Sequence, residues 1–315
     1  IFNSDFRLAD NPGLFHAAEN GESLVAIFIN NPKKWESHNE SDLKIAFQIE
    51  HLKRLSKKLS ELKISLKILD VDGIEEESQK IIEFVKRKNI KEVFINKEYG
   101  INEINRDLNL KKELASIDIK LNSFDSSVFF PESIKTQSDT SFKVFTPFSK
   151  AFRSKLLTKK IEILGLPKKQ NNKVLESDEI EDFSLKPERK NILELYKAGE
   201  EYALDKLDEF IDHKIHSYKA KRDYPAIDGT SSLSPYLSSG VLSSRQCLFK
   251  VFEKLSEEEE GIKTWVNEII WREFYKYILF HNPRVSKNLS FSEKYDNFPW
   301  SDNLDHFIAW SKGET

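Results

Sequence analysis

Along the first 125 positions, short apolar runs alternate with longer stretches in which apolar residues recur every third or fourth place. Leu24 to Ile29, Ser65 to Val71, Glu92 to Asn96 and Ile119 to Phe124 are brief runs rich in β-branched side chains, and each reads as a strand. Between them, Ser41 to Lys63 carries Leu43, Phe47, Leu52, Leu55 and Leu59 at helical spacing, with Ser41 placed as an N-cap. Ile74 to Lys88 and Asn102 to Ala115 predict two further helices. Strand–helix alternation of this kind predicts a mostly parallel sheet with helices on both faces. No glycine-rich turn follows any of the strands, so the usual dinucleotide grip is absent from this part.

From Asp125 to about Glu188 the periodicity dissolves into a Ser- and Lys-rich connection punctuated by Pro131, Pro147, Pro167 and Pro187. Beyond it the pattern is helical throughout. Ala203, Leu204, Leu207, Phe210 and Ile211 make one apolar stripe on a helix running to about Tyr218, and Leu242 to Leu255 and Thr264 to His281 predict two more. No internal repeat is present. The pattern divides the chain into an α/β domain over 1–125, a linker over 126–188 and an all-helical part over 189–315.

Composition narrows the setting. A chain of 315 residues with 39% hydrophobic and 12% aromatic residues is long enough for two cores. A single cysteine, Cys247, excludes a disulfide framework or a four-thiolate metal site and fits a reducing, cytoplasmic compartment. No apolar run approaches the ~20 residues that span a bilayer, and the opening decapeptide lacks the basic head and apolar stretch of a secretory signal. The chain contains no methionine, opens on what reads as the end of a strand and stops just after an aromatic stretch, so a piece of a longer reading frame is expected. The net charge of −3 hides a block from Ser141 to Leu175 with nine Lys or Arg against one Glu. Such a block is either a solvated connector or a source of phosphate contacts, which drive nucleic-acid affinity without reading sequence.

Two segments carry candidate chemistry. In Thr264 to Lys276, a helix puts Val266, Ile270 and Phe274 on one buried stripe, Trp265, Glu268 and Arg272 on a second face, and Glu268, Trp271 and Tyr275 on the face beside it. A carboxylate, an indole and a guanidinium thus converge on a rigid element. The plainer reading is a core tryptophan pair with a Glu–Arg surface pair at i,i+4. The second segment, Gly229 to Leu237, is a small hydroxyl-rich loop. It could bind an anionic phosphate through backbone N–H groups and hydroxyls, or be a simple capping turn.

Taken together, Arg222-Asp-Tyr-Pro-Ala-Ile-Asp-Gly-Thr-Ser-Ser-Leu-Ser-Pro-Tyr-Leu237, Leu242 to Gln246 and Asn267 to Tyr275 resemble the flavin-domain signature of the photolyase/cryptochrome family. Other matches follow in the same order along the chain. Asp5 to Pro12 is similar to the family's opening motif, Lys143-Val-Phe-Thr-Pro-Phe148 to its linker, and Tyr295 to Trp300 with Phe307 to Thr315 to the stretch before its last helices. The closest resemblance is to the bacterial class I enzymes that act on cyclobutane pyrimidine dimers.

The resemblance implies a Rossmann-like antenna domain joined by a long linker to an all-α FAD-binding domain, here incomplete. It implies light-driven repair of pyrimidine dimers in DNA by a monomeric, cytoplasmic lyase without a membrane partner. FAD would be held by Tyr218, Thr230, Ser231, Ser232, Leu233, Ser234, Trp265 and Arg272. Glu268 and Trp271 would face the flipped-out dimer, and Glu268, Ile269, Ile270, Trp271, Arg272, Glu273, Phe274 and Tyr275 would form the DNA-facing helix. Trp300 matches the outermost member of the family's electron-carrying tryptophan chain. His38, Asn102, Glu103 and Lys287 would contact an antenna folate, 5,10-methenyltetrahydrofolate; a flavin-type antenna, or none, is the alternative. The chain departs from the family pattern at Asn3-Ser4, where an Arg pair is usual, and at Ser232, where an Arg is usual. The family's chain also continues well beyond Thr315. The competing functional class is a cryptochrome-type photoreceptor that signals without repair; Trp271 and Tyr275 beside Glu268, and the basic linker, favour dimer repair.

Overall fold

The computed structural model describes residues 1–20, 23–182 and 193–314. Its first part runs α1 (Pro12–Asn20), β1 (Val25–Asn30), α2 (Pro32–Ser37), α3 (Asp42–Glu61), β2 (Ser65–Asp70), α4 (Ile74–Arg87), β3 (Glu92–Asn96), α5 (Ile101–Ala115) and β4 (Lys120–Phe124). All four expected strands form within a residue of their predicted bounds. Ser41 does stand at the N-cap of α3 in extended backbone, but its side chain makes no capping hydrogen bond.

β1 pairs with β2 and β3 with β4, both in parallel, with registers that start at Val25↔Ser65 and Glu92↔Lys120. Residues 1 and 2 lie between the two pairs. Phe2 bridges Phe28 in parallel, and the Ile1 amine donates to the Phe94 carbonyl at 2.8 Å. The order β2–β1–(1–2)–β3–β4 therefore reverses direction at the N-terminal residues, the kind of switch point where open α/β sheets form a crevice beyond their strand ends. Alternation along the strands sorts the two faces. Ala26, Phe28 and Leu66 join Phe47, Leu52, Leu55 and Leu59 of α3 in a large core shared with the helical part. Val93 and Ile95 instead pack with Ile81, Val85, Leu110 and Leu114 from α4 and α5.

The connection after residue 125 is more ordered than its sequence pattern predicts. α6 (Phe145–Thr158) forms within it, held by Phe148 and Phe152, which are buried one turn apart. Pro147 falls in the first turn, where a missing N–H costs nothing. The chain then returns along β2: the Leu66 amide donates to Ser177 Oγ at 3.1 Å, the Asp178 amide to the Leu66 carbonyl at 2.9 Å, and the Ile68 amide to Asp178 Oδ2 at 2.9 Å. These bonds cover backbone groups that an edge strand would otherwise expose. The expected boundary near residue 188, with Pro187, lies outside the described residues.

The helical part comprises α7 (Glu200–His213), α8 (Tyr218–Lys221), α9 (Ser234–Ser238), α10 (Ser244–Lys254), α11 (Glu260–His281) and α12 (Leu304–Lys312). The helix expected to reach Tyr218 ends at His213, and a 3-10 turn at Ile215–Ser217 separates it from α8. A capping box starts α10: Ser243 Oγ accepts from the Gln246 amide while the Gln246 side chain accepts from the Ser243 amide.

A buried polar junction docks the helical part onto the opening motif. The Asp10 carboxylate accepts from Ser243 Oγ at 2.6 Å and from Arg245 Nε at 2.9 Å. Arg7 donates to the carbonyls of Asp10 and Gly240 and to Ser126 Oγ, and Glu200 accepts from the amides of Leu8 and Ala9. Gly240 has a left-handed φ of +65°, and a Cβ there would collide with the Ser4 carbonyl. Among the described residues no helix is long and apolar enough to cross a membrane.

Candidate functional site

α11 supplies the scaffold for most of the expected site residues. Val266, Ile270 and Phe274 form its buried stripe, as their spacing predicts, and Ile262, Ile269 and Tyr277 widen it. The stretch expected to face DNA divides between two sides of the helix. Ile269, Ile270, Glu273 and Phe274 point into the core, leaving Glu268, Trp271, Arg272 and Tyr275 with exposed area. The Glu273 carboxylate is wholly buried; it accepts from Ser244 Oγ at 2.6 Å and from the Phe129 amide at 3.0 Å, so it ties α11 to α10 and to the linker.

Glu268 does not pair with Arg272. Its Oε1 accepts from Arg222 Nη1 at 2.5 Å, and both side chains are about one-third exposed. Arg222 also lies over the Tyr218 ring, 5.4 Å from its centroid. Tyr218 meets Phe210 edge-on at 5.8 Å, and Phe210 in turn packs on the buried Trp265 at 5.3 Å. Hydrogen bonding to Glu268 raises the Arg222 guanidinium's pKa, and burial raises that of the Tyr218 hydroxyl. Arg222 thus links Tyr218 and Trp265 to Glu268, a connection that sequence reasoning missed. Its signals were the i,i+4 spacing from Tyr218 and its place at the head of the 222–237 motif.

Trp271 lies half-buried under a second residue that the sequence did not single out. The Phe145 ring stacks on it with centroids 3.4 Å apart and planes 7° apart. Tyr275, 64% exposed, lies 5.7 Å away at 23°. Trp300 is 77% exposed and packs on Phe298 at 4.8 Å, within a run of exposed aromatics from Phe291 to Trp310.

The loop from Gly229 to Leu233 leads into α9. Gly229 is required by proximity, since a Cβ would strike Lys221, and Ser232 takes a left-handed φ of 49°. Thr230 and Ser232 hydroxyls lie 3.5 Å apart, while those of Ser231 and Ser234 have no hydrogen-bond partner among the described residues. Leu233 is buried. With α9 only five residues long, the loop's hydroxyls and N–H groups are what it can offer an anion. Arg272 reaches this element by donating to the Leu237 carbonyl at 3.2 Å. It also lines a cleft of about 310 Å³ at the junction, with Ser4, Arg7, Tyr99, Ser244 and Lys276. Burial, and then the charge of Arg272, hold the Lys276 ammonium down to about 8.

A second cluster forms at the sheet's crevice. The Lys34 ammonium pairs with Glu103 Oε1 at 2.6 Å, and the His38 amide donates to the Lys34 carbonyl at 3.1 Å. Burial alone would raise the Glu103 carboxyl, but the charge and hydrogen bond of Lys34 outweigh it and hold the group low. Asn102 is exposed beside Glu103 in the first turn of α5. The Ile101 amide donates to Ser286 Oγ at 3.0 Å, bringing the short 3-10 turn Pro283–Lys287, with the exposed Lys287, onto that end of α5. Arg106, buried among Glu77, Glu98 and Asp107, lines the adjoining cavity of about 140 Å³ with Trp35 and His38.

Comparison with known proteins matches residues 1–168 to the family described as DNA photolyase, and residues 265–315 to the FAD binding domain of DNA photolyase. All of the chain aligns with the deoxyribodipyrimidine photo-lyase of Buchnera aphidicola subsp. Acyrthosiphon pisum at 33% identity, covering 66% of that protein. It aligns likewise with that of Escherichia coli at 30%, covering 67%. The chain therefore spans about two thirds of the length of these relatives. The crystal structure of a class III photolyase from Agrobacterium tumefaciens superposes with a TM-score of 0.81 at 25% identity, over 99% of this chain and 64% of that one. A Synechocystis cryptochrome shares the fold, with a TM-score of 0.81 at 23% identity, over 100% of this chain and 67% of that one.

Proposed function

Because this chain belongs to the DNA photolyase family, we propose that it serves light-driven repair of cyclobutane pyrimidine dimers in DNA, with FAD as cofactor. The observation that carries the reading is the outer side of α11. There Glu268, Trp271 and Tyr275 stand on one rigid helix, joined through Arg222 to the Tyr218–Trp265 group. A dimer inside a duplex must be swung out of the stack before chemistry, a strategy that photolyases share with glycosylases and methyltransferases.

FAD would be held by Tyr218, Trp265, Arg272 and the loop Thr230, Ser231, Ser232, Leu233 and Ser234. The hydroxyls of Ser231 and Ser234, without a hydrogen-bond partner among the described residues, and the Arg272 link to Leu237 fit an anionic group at that loop. When bound, FAD would supply the electron that opens the dimer. The chain's own residues bind and orient. Trp271 offers an aromatic plate worth ~1–3 kcal/mol per stacked base. Glu268, oriented by its bond from Arg222, can accept hydrogen bonds, and a thymine N3–H is a donor it can meet. Trp300 would pass electrons inward from the surface. Lys143, Lys150, Lys159 and Lys160, all exposed around α6, would neutralise phosphates. A folate antenna, 5,10-methenyltetrahydrofolate, would sit at His38, Asn102, Glu103 and Lys287. The buried Cys247 thiol, pushed up to about 12 by burial, fits a cytoplasmic setting.

The test is conversion of a dimer-containing oligonucleotide by the protein with reduced FAD, in blue light and in darkness. Repair in the dark, or none in the light, overturns the reading. Trp271→Ala should weaken binding to damaged DNA by roughly 1–3 kcal/mol at fixed salt; equal weakening on undamaged duplex would make Trp271 a packing residue.

A further inference from the structure

We propose that Phe145 belongs to the lesion site, where it covers the stacking face of Trp271 until an extruded base displaces it. The inference rests on the role given above to Trp271. Its motive is geometric. The Phe145 ring lies 3.4 Å from Trp271 and within 7° of parallel, the separation and tilt a stacked base would adopt. A face-to-face pair of this kind is the less favoured aromatic arrangement, offset and edge-on pairs being preferred, so the stack is cheap to exchange.

The surroundings leave Phe145 free to move. It is the first residue of α6, and Val144 before it makes no side-chain cap. Lys143, Val144, Thr146 and Pro147 are all exposed. The helix is anchored further on, by Phe148 and Phe152, each 1% exposed. Rotation of the first turn therefore uncovers Trp271 without opening the core. Phe145 also touches Phe274 edge-on at 5.8 Å, a contact that resets it when the site empties.

The alternative is that Phe145 is a fixed backing for Trp271, and the two roles have opposite signs. A displaceable cover competes with the base, so Phe145→Ala and Phe145→Leu should bind a single-stranded oligonucleotide carrying one thymine dimer about two- to tenfold more tightly than the wild type. Acrylamide should also quench the Trp271 fluorescence more readily, read as the difference from the matching Trp271→Phe proteins. Leu preserves bulk against Phe274, and circular dichroism checks that both variants fold. Unchanged or weaker binding by both folded variants overturns the role of Phe145, provided Trp271→Ala still weakens the wild type. If Trp271→Ala has no effect on dimer affinity, the role given to α11 fails, and the role of Phe145 fails with it.

Discussion

Glu273 is wholly buried within the stretch expected to face DNA, and its removal gives the sharpest test. The residue sits within the stretch 268–275 that the family resemblance assigns to DNA, yet its carboxylate has no exposed area. Glu273→Ala would strand Ser244 Oγ and the Phe129 amide and leave the Arg272 guanidinium, now 3.4 Å away, without its buried counter-charge. Breaking one side of a buried ion pair costs ~3–5 kcal/mol, and the two stranded donors fall within that figure because the effects are not additive. At ~2–4 °C per kcal/mol for a chain of a few hundred residues, the melting temperature should drop by on the order of 10 °C. Glu273→Gln keeps one acceptor oxygen and should lose about 1–3 kcal/mol. Urea unfolding followed by circular dichroism measures the loss; titration with dimer-containing DNA at fixed salt measures affinity. A loss below about 1 kcal/mol together with a tenfold fall in affinity would place the carboxylate on the DNA side and refute the burial argument.

Two further predictions concern the junction between the parts. His51 Nδ1 accepts from the Gly199 amide at 3.0 Å, and burial, aided by the charge of Arg54, lowers its pKa to about 3. Below about 6.5 the unfolded chain takes up a proton that the folded chain refuses, so stability should fall as pH drops from 6.5 towards 3; His51→Gln should flatten that slope in a urea series, and an unchanged slope would clear His51. Gly240→Ala should cost at least ~1–2 kcal/mol for the left-handed backbone, and more for the clash with Ser4, read as a melting shift. A neutral result would show that the loop relaxes freely.

The α/β part was legible because its signals are local. Runs such as Glu92–Asn96 and the i,i+4 stripe of α3 are set by side-chain period, and both appear where expected. The linker was misjudged for a physical reason. Its helix α6 is held by two phenylalanines, Phe148 and Phe152, inside a lysine-rich stretch whose average composition hides them. Helix α1 lies outside the predicted elements, and the Pro12-Gly13 dipeptide that opens it is of a type that more often marks a turn. At the site, the residue types and their shared helix were legible, whereas partner choice was not. The i,i+4 spacing offers Arg272 to Glu268, yet Arg272 turns to the carbonyls of Leu237 and Ser127.

That exchange of partners follows from backbone proximity. α11 passes so close to the 3-10 turn before α8 that a Cβ at Gly261 would strike the carbonyls of Ile215 and His216. The close approach brings α8, and with it Tyr218 and Arg222, alongside α11 near Glu268. Gly229 does the same at the other end of α8, where only hydrogen fits against Lys221. Once the backbones are this near, a guanidinium at 2.5 Å competes better for the carboxylate than one a helical turn away on a constrained face. Arg272 is then free to support the hydroxyl-rich loop through Leu237, which places one cation on each side of α11. The two glycines thereby decide which guanidinium Glu268 pairs with, although neither touches it.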